Sequence, residues 1–305
     1  MQSFPLQTAY LCGPQILEGL ATIAIGIISF WMVHDFPDDA TFLSDADRAA
    51  VISRLRDDKQ SSAEHEEFQM AYFWASIKDW KTWIGATIYM GCDGALYAFS
   101  LFLPSIISEL GYTTTRAQLL TVPPYILACS FTIVIGWLAD RTGKRGLCNI
   151  GTSLFGIIGF SMLLGGKSAG VRYAGTFLGA LGIYPCISNT ISWTSNNIEG
   201  VYKRGITLGF VIGWGNLNGV VSSNIYRGAN APLYRTGHAV VLGYLTLFLL
   251  GGSVLQHVLL QRENYKRKAG KRDVWVEGKT PQEVELMGDM RFAPIPNQSP
   301  LTAVG

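Results

Sequence analysis

Apolar residues in this chain come in long runs with almost no charge, separated by short polar stretches. Windows of about 19 residues pick out Ile16 to Val33, interrupted only by Glu18, then Trp83 to Ser108, Leu119 to Ala139, Leu147 to Gly165, Tyr173 to Trp193, Ile206 to Tyr226 and Val240 to Leu260. A helix of that length crosses a hydrocarbon layer of about 30 Å. Buried helices of soluble proteins rarely repeat at this length with polar residues only between them. The pattern therefore predicts an all-α, polytopic membrane bundle of about seven helices. Its parts are an N-terminal segment with the first span (1–33), a central loop (34–80), a six-helix half (81–261) and a polar tail (262–305).

Composition agrees once the segregation is seen. The chain has 305 residues, 49% hydrophobic and 15% charged, whereas soluble domains carry about 25% charged residues. A mean hydropathy of +0.24 is modest because the charges are confined to blocks. The net charge of +2 is too small to attract nucleic acid, and no such partner is expected. The Lys and Arg residues also set an orientation, since loops on the cytoplasmic side retain positive charge. One side holds Arg48, Arg54, Arg56, Lys59, Lys78, Lys81, Arg141, Lys144, Arg145, Lys203, Arg204 and the eight in the tail from Arg262 to Arg291; the other holds Arg116, Lys167, Arg172, Arg227 and Arg235. The tail is predicted to be cytoplasmic and the first residues to lie outside. Met1 to Gln15 has no basic residue with which to start a signal peptide, so the beginning reads as truncated.

Smaller features add local expectations. Ser44 with Asp47 is a capping-box-like start, and Val51, Ile52 and Leu55 predict a short amphipathic helix on the inner membrane surface. Cys12, Cys92, Cys129, Cys148 and Cys186 have no CxxC pairing, so neither metal nor disulfide is expected. With no nucleophile elbow, phosphate loop or cofactor motif, an enzyme is not expected. No Lys, Arg or His lies deep in any predicted span.

The loop after the third span reads Gly136-Trp-Leu-Ala-Asp140-Arg141-Thr-Gly143-Lys144-Arg145. It resembles the G-x-x-x-D-R-x-G-[RK]-[RK] loop of the major facilitator superfamily, which occurs between helices 2 and 3 and again between helices 8 and 9. Three spans precede it and four follow, so only the second copy fits, and the resemblance implies helices 6 to 12 of an incomplete twelve-helix fold. Glu18-Gly19, Phe36-Pro37-Asp38, Phe42-Leu43-Ser44, Leu103-Pro104, Pro123-Pro124-Tyr125, Gly215-Asn216, Pro232-Leu-Tyr234-Arg-Thr-Gly237 and Gly270-Lys271-Arg272-Asp273 are similar to one branch, the fungal allantoate and nicotinate permeases. What this resemblance implies is proton-coupled symport of a small organic anion or vitamin across the plasma membrane, without a cofactor, together with helices 1 to 5. The competing reading is a non-transporting fragment or an accessory half. In the family the loop gates the cycle, which implies gating roles for Gly136, Asp140, Arg141, Gly143, Lys144 and Arg145.

Polar residues within spans are candidates because burying a charge in hydrocarbon costs about 2.5 to 3.5 kcal/mol on insertion scales. Tyr89, Asp93, Tyr97, Ser100 and Pro104 share one helix face by their spacing. Asp93 either carries the coupled proton or pins neighbouring helices by hydrogen bonds. On the fifth span Tyr184, Ser188 and Ser192 share a stripe with Asn189 and Trp193 beside it; on the sixth, Trp214, Asn216 and Asn218 offer a ring and amide donors. Each of these is a candidate substrate contact or an interhelical bond. Gly205, Gly209 and Gly213, like Gly175 and Gly179, repeat every fourth residue and predict close helix packing.

Overall fold

The computed structural model describes residues 19–30, 42–57, 70–108, 110–198, 200–226 and 234–269. They belong to two compact units, Met1–Glu66 and Glu67–Gly305. In the first, α1 (Gly19–Phe30) is apolar and α2 (Asp45–Asp57) follows a turn at Phe42-Leu43-Ser44. The Asp47 N–H donates to Ser44 Oγ at 3.2 Å, and Ser44 Oγ donates to Asp47 Oδ2 at 2.6 Å, so the predicted cap forms. The expected amphipathic character does not: Arg48, three residues before Val51, occupies the same face and interrupts the apolar stripe. Glu18, Lys59, Cys12, the tail beyond residue 269 and both ends of the first span lie outside the described residues.

The second unit is helical throughout its described residues. It contains α3 (Met70–Lys78), α4 (Trp80–Ser108), α5 (Thr114–Leu119), α6 (Val122–Thr142), α7 (Arg145–Gly165), α8 (Ala169–Asn196), α9 (Val201–Asn216), α10 (Asn218–Ser222) and α11 (Arg235–Gly243). From α11 the chain continues through a π-helical stretch, Tyr244–Gly251, into α12 (Gly252–Lys268). Four stretches are long and apolar enough to cross a membrane: Trp80–Ser108, Thr115–Thr142, Arg145–Gly165 and Arg235–Lys266. α8, at 28 residues, is as long but carries Asn189, Thr190, Thr194 and four glycines.

The sixth expected span is not one straight helix. α9 stops at Asn216, Leu217 makes a turn, and α10 resumes. There the Asn218 side-chain amide donates to the Gly215 carbonyl at 3.1 Å, a local bond that competes with the helical ladder.

α4 lies at the centre, packed against α8 on one side, α9 and α10 on another, and the π-helical stretch and α12 behind. Ile88, Cys92, Ala95, Ala98, Phe99 and Leu103 are fully buried along it. α8 in turn packs on α6 and α7. Thus α9, α4, α8 and α6 make a front row, with α7 and the last helix behind.

The α7–α8 contact is backbone against backbone. A Cβ on Gly182 would lie 2.1 Å from the Gly156 nitrogen, and one on Gly159 would lie 2.3 Å from the Gly179 nitrogen. No side chain stands there to give way. Gly182→Ala is therefore expected to destabilise by at least the ~1–3 kcal/mol typical of overpacking, whereas Gly209→Ala, with nothing within 4 Å of its added methyl, should be near neutral. Parallel thermal melts of the two variants in detergent check this; equal melting temperatures would refute the contact. The α9 glycines correct the sequence expectation: Gly205, Gly209 and Gly213 all face open space and pack on no described helix.

Candidate functional site

The α4 stripe lies along the seam of the front row. Tyr89 rests on Gly215 of α9, where any Cβ would come within 2.3 Å of its ring, which explains the glycine in the Gly215-Asn216 pair. Two turns further, the Tyr97 hydroxyl donates to Asn216 Oδ1 at 2.9 Å. Across the seam, Ser100 Oγ and the Tyr184 hydroxyl of α8 lie 3.0 Å apart. Pro104 has no N–H to give the Ser100 carbonyl, and Pro185 leaves that of Leu181 likewise without a helical donor, so both helices keep a backbone acceptor at this level.

Asp93 lies on the same α4 face below these two side-chain pairs, one turn from Tyr89 and one from Tyr97. It is 3% exposed, and its Oδ2 has no hydrogen-bond partner. A buried carboxylate oxygen without a donor is costly, and no cation is within ion-pair distance of it among the described residues. The pinning bonds expected to Tyr or backbone are not made by Oδ2.

The structure thus brings Tyr89, Asp93, Tyr97, Tyr184 and Asn216 to one seam and places the other candidates elsewhere. Asn218, buried, accepts from the Tyr244 hydroxyl at 3.1 Å behind α9. Trp214 is stacked on Phe210 and edge-on to Trp83 near the start of α4, away from Tyr97, with 40% of its surface exposed. Asn189 lies against α7: its amide donates to the Arg145 carbonyl and to Asn149 Oδ1, both at 2.8 Å. Trp193 closes on Gly146 beside it.

Sequence reasoning missed Tyr125, which meets Tyr184 edge-on with ring centroids 5.8 Å apart. The signal was present in Pro123-Pro124-Tyr125, since prolines in the first turn of α6 fix where the ring one residue later emerges. It also missed Tyr244 and Ser222, whose hydroxyl donates to the Gly94 carbonyl at 2.9 Å.

The motif loop is a helix end with an ion pair. Gly143 takes φ 65° as the left-handed cap of α6, its N–H donating to the Ala139 carbonyl at 2.9 Å. Arg145 pairs with Asp140, lies 3.4 Å from Asn189 Oδ1 and has the Asn196 amide 3.1 Å from its Nε. The loop is thereby tied to α8, five residues below Tyr184. Gly136 faces open space on α6, Lys144 is the turn residue before α7, and Arg141 lies over the Trp137 ring at 5.2 Å.

Several basic residues assigned to loops are in fact buried. Asp79 is the N-cap of α4: Oδ1 accepts the Lys81 N–H at 3.0 Å, and Oδ2 is 3.1 Å from Lys203 Nζ and 3.6 Å from Lys81 Nζ. Arg172 is 6% exposed in the first turn of α8. His238 is fully buried in α11, bonded through Nδ1 to the Tyr226 hydroxyl at 2.9 Å, and His257 lies in α12. The spans therefore do contain histidine, which the run-based boundaries had cut off or overlooked.

A bundle of membrane-length helices carrying an acidic residue at a central seam and a basic loop between two helices is a polytopic membrane protein. The Major Facilitator Superfamily profile matches residues 15–223, and the chain belongs to that superfamily. It is 35% identical over 253 residues to an uncharacterized transporter of Schizosaccharomyces pombe, covering 82% of this chain and 51% of the relative. It is 31% identical over 256 residues to the high-affinity nicotinic acid transporter of Saccharomyces cerevisiae, covering 83% and 47%. An MFS-type transporter of Penicillium expansum is 29% identical over 287 residues, covering 90% and 55%. The chain spans about half the length of the curated relatives it matches.

Proposed function

We propose that this chain forms one half of a proton-coupled symporter for a small organic anion of the nicotinate, allantoate or pantothenate kind. It works in the plasma membrane with its tail cytoplasmic, by alternating access against the half that contributes helices 1 to 5. The observation that carries the reading is Asp93, a buried carboxylate with an unpartnered oxygen, one turn before Tyr97 on the α4 face that carries the Tyr97–Asn216 and Ser100–Tyr184 pairs. A group so placed can take up and release a proton where hydroxyl and amide donors stand ready for an anion. Membership of the superfamily and the similarity to a nicotinic acid transporter support the substrate class. Trp193, Trp214, Asn189 and Asn218 serve in this reading to hold the helices that present the seam. The Asp140–Arg145 pair and its glycines form the gate, linked to the seam through α8.

Uptake of labelled nicotinate and allantoate at pH 5 and pH 7 tests this, in cells without their own permeases. The chain is expressed alone and together with the N-terminal half of the Saccharomyces cerevisiae relative. Accumulation of either anion, larger at pH 5, is expected for the assembled protein. Transport restricted to neutral sugars or peptides would overturn the anion assignment.

A further inference from the structure

A second concavity lies away from the seam, in the cleft between α6 and α7. It holds about 330 Å³ and is walled by Ile135 and Leu138 of α6 and Leu147, Gly151 and Phe155 of α7, with Lys144 at one end. We propose that this groove binds one acyl chain of an anionic phospholipid from the leaflet on the Lys144 side, with the lipid phosphate against Lys144 and the first turn of α7.

The lining makes the case for the chain. Leu138, Leu147 and Phe155 are each about two-fifths to one-half exposed, an apolar rim of the kind an acyl chain packs against. Gly151 has nothing within 4 Å of where its Cβ would be, so the groove is open at its floor. From Ile135 to Thr142 the α6 wall runs about 10 Å at 1.5 Å per residue, enough for the upper part of an acyl chain entering from the loop. The small residues Cys148, Gly151 and Thr152 leave the floor low between the larger rim residues Leu138, Leu147 and Phe155.

The mouth makes the case for the anion. Neither Lys144 nor Arg141 has an ion pair among the described residues, whereas the one nearby carboxylate, Asp140, is met by Arg145. α7 begins at Arg145 with no side-chain cap, leaving first-turn N–H groups and the positive end of the helix dipole at the same place. Trp137, 59% exposed under the Arg141 guanidinium, marks the headgroup level as interfacial tryptophans do. Basic pockets between membrane helices recognise anionic headgroups in this way.

Native mass spectrometry of the full chain, released from bilayers containing equal phosphatidylglycerol and phosphatidylcholine, tests the proposal. Retained phosphatidylglycerol should exceed phosphatidylcholine by about fivefold, the order expected for one basic residue near an anionic headgroup, and Lys144→Gln should remove that preference. Gly151→Leu, which extends into open space, should displace both lipids while the melting temperature in detergent holds. Equal retention of the two lipids by the wild type, or undiminished retention by folded Gly151→Leu, would overturn it. So would photocrosslinking from position 151 that captures a polypeptide instead of lipid. These readouts do not involve transport, so they succeed or fail independently of the proposed substrate.

Discussion

Asp93→Asn is expected to lower proton-driven anion uptake by at least tenfold, equivalent to about 1.4 kcal/mol in the rate-limiting barrier, and to erase its dependence on external pH. The amide is nearly the same size, so the packing of α4 against α9 through Tyr89 and Gly215 is kept, but it cannot carry a proton. The two readings of Asp93 separate on this variant. If the carboxylate couples transport, accumulation against a gradient is lost while exchange of labelled for unlabelled substrate across the membrane survives. If it only pins helices, the Asn side chain should hold nearly as well, and the pH 5 to pH 7 ratio should match the wild type. The unpartnered Oδ2 favours the first outcome. Glu in place of Asp93 supplies a control: a longer carboxylate retains the proton and should recover part of the pH dependence even where total uptake falls.

What could be read from the sequence follows the length scale of each interaction. The spans were legible because twenty apolar residues in a row are a local fact, and so was the Ser44–Asp47 cap, since a side chain three residues from its partner needs no tertiary contact to explain it. The stripe Tyr89, Asp93, Tyr97 and Ser100 was legible because helical spacing alone puts those residues on one face. Which neighbour a face meets was not. Asn189 and Tyr184 are five residues apart on α8, yet one bonds the motif loop and the other faces Ser100 and Tyr125. Trp214 and Asn216, two residues apart, likewise meet different side chains of α4, Trp83 and Tyr97. The glycine repeats show the limit most clearly. Gly175 and Gly179 of α8 meet the backbone or side chains of α7, whereas Gly205, Gly209 and Gly213 of α9 meet nothing in the described chain, with identical spacing in sequence. Counting basic residues by side of the membrane also treats every Lys or Arg near a helix end as solvated. Lys81, Lys203 and Arg172 are buried because tertiary packing closes over them.

Asp79→Ala should be the most destabilising single change in the second unit, lowering the unfolding free energy by about 3 to 5 kcal/mol for a broken buried pair. About 1 kcal/mol more is expected from the lost helix cap. Both parts follow from one side chain. Its Oδ2 lies between the Lys203 and Lys81 ammonium groups, each within the buried interior where α3, α4 and α9 meet, and its Oδ1 holds the second N–H of α4. Lys81 also donates to the Asn197 carbonyl at 2.9 Å, so the same node fixes the turn between α8 and α9. Removing the carboxylate takes away a negative charge that both ammonium groups face in a region too dry to screen its loss. Asp79→Asn separates the contributions, because the amide oxygen can still accept the Lys81 N–H while the charge is gone; it should be milder than Ala by roughly the capping increment. Reversible unfolding of the detergent-solubilised protein, followed by tryptophan fluorescence from Trp80 and Trp83 next to the node, measures both. An Asp79→Ala protein that unfolds at the wild-type denaturant concentration would show that the ion cluster contributes nothing. The junction of α3 and α4 would then be held by backbone bonds and by the Thr82–Ser76 and Trp83–Ile77 hydrogen bonds, with Ser76–Thr207 joining α3 to α9.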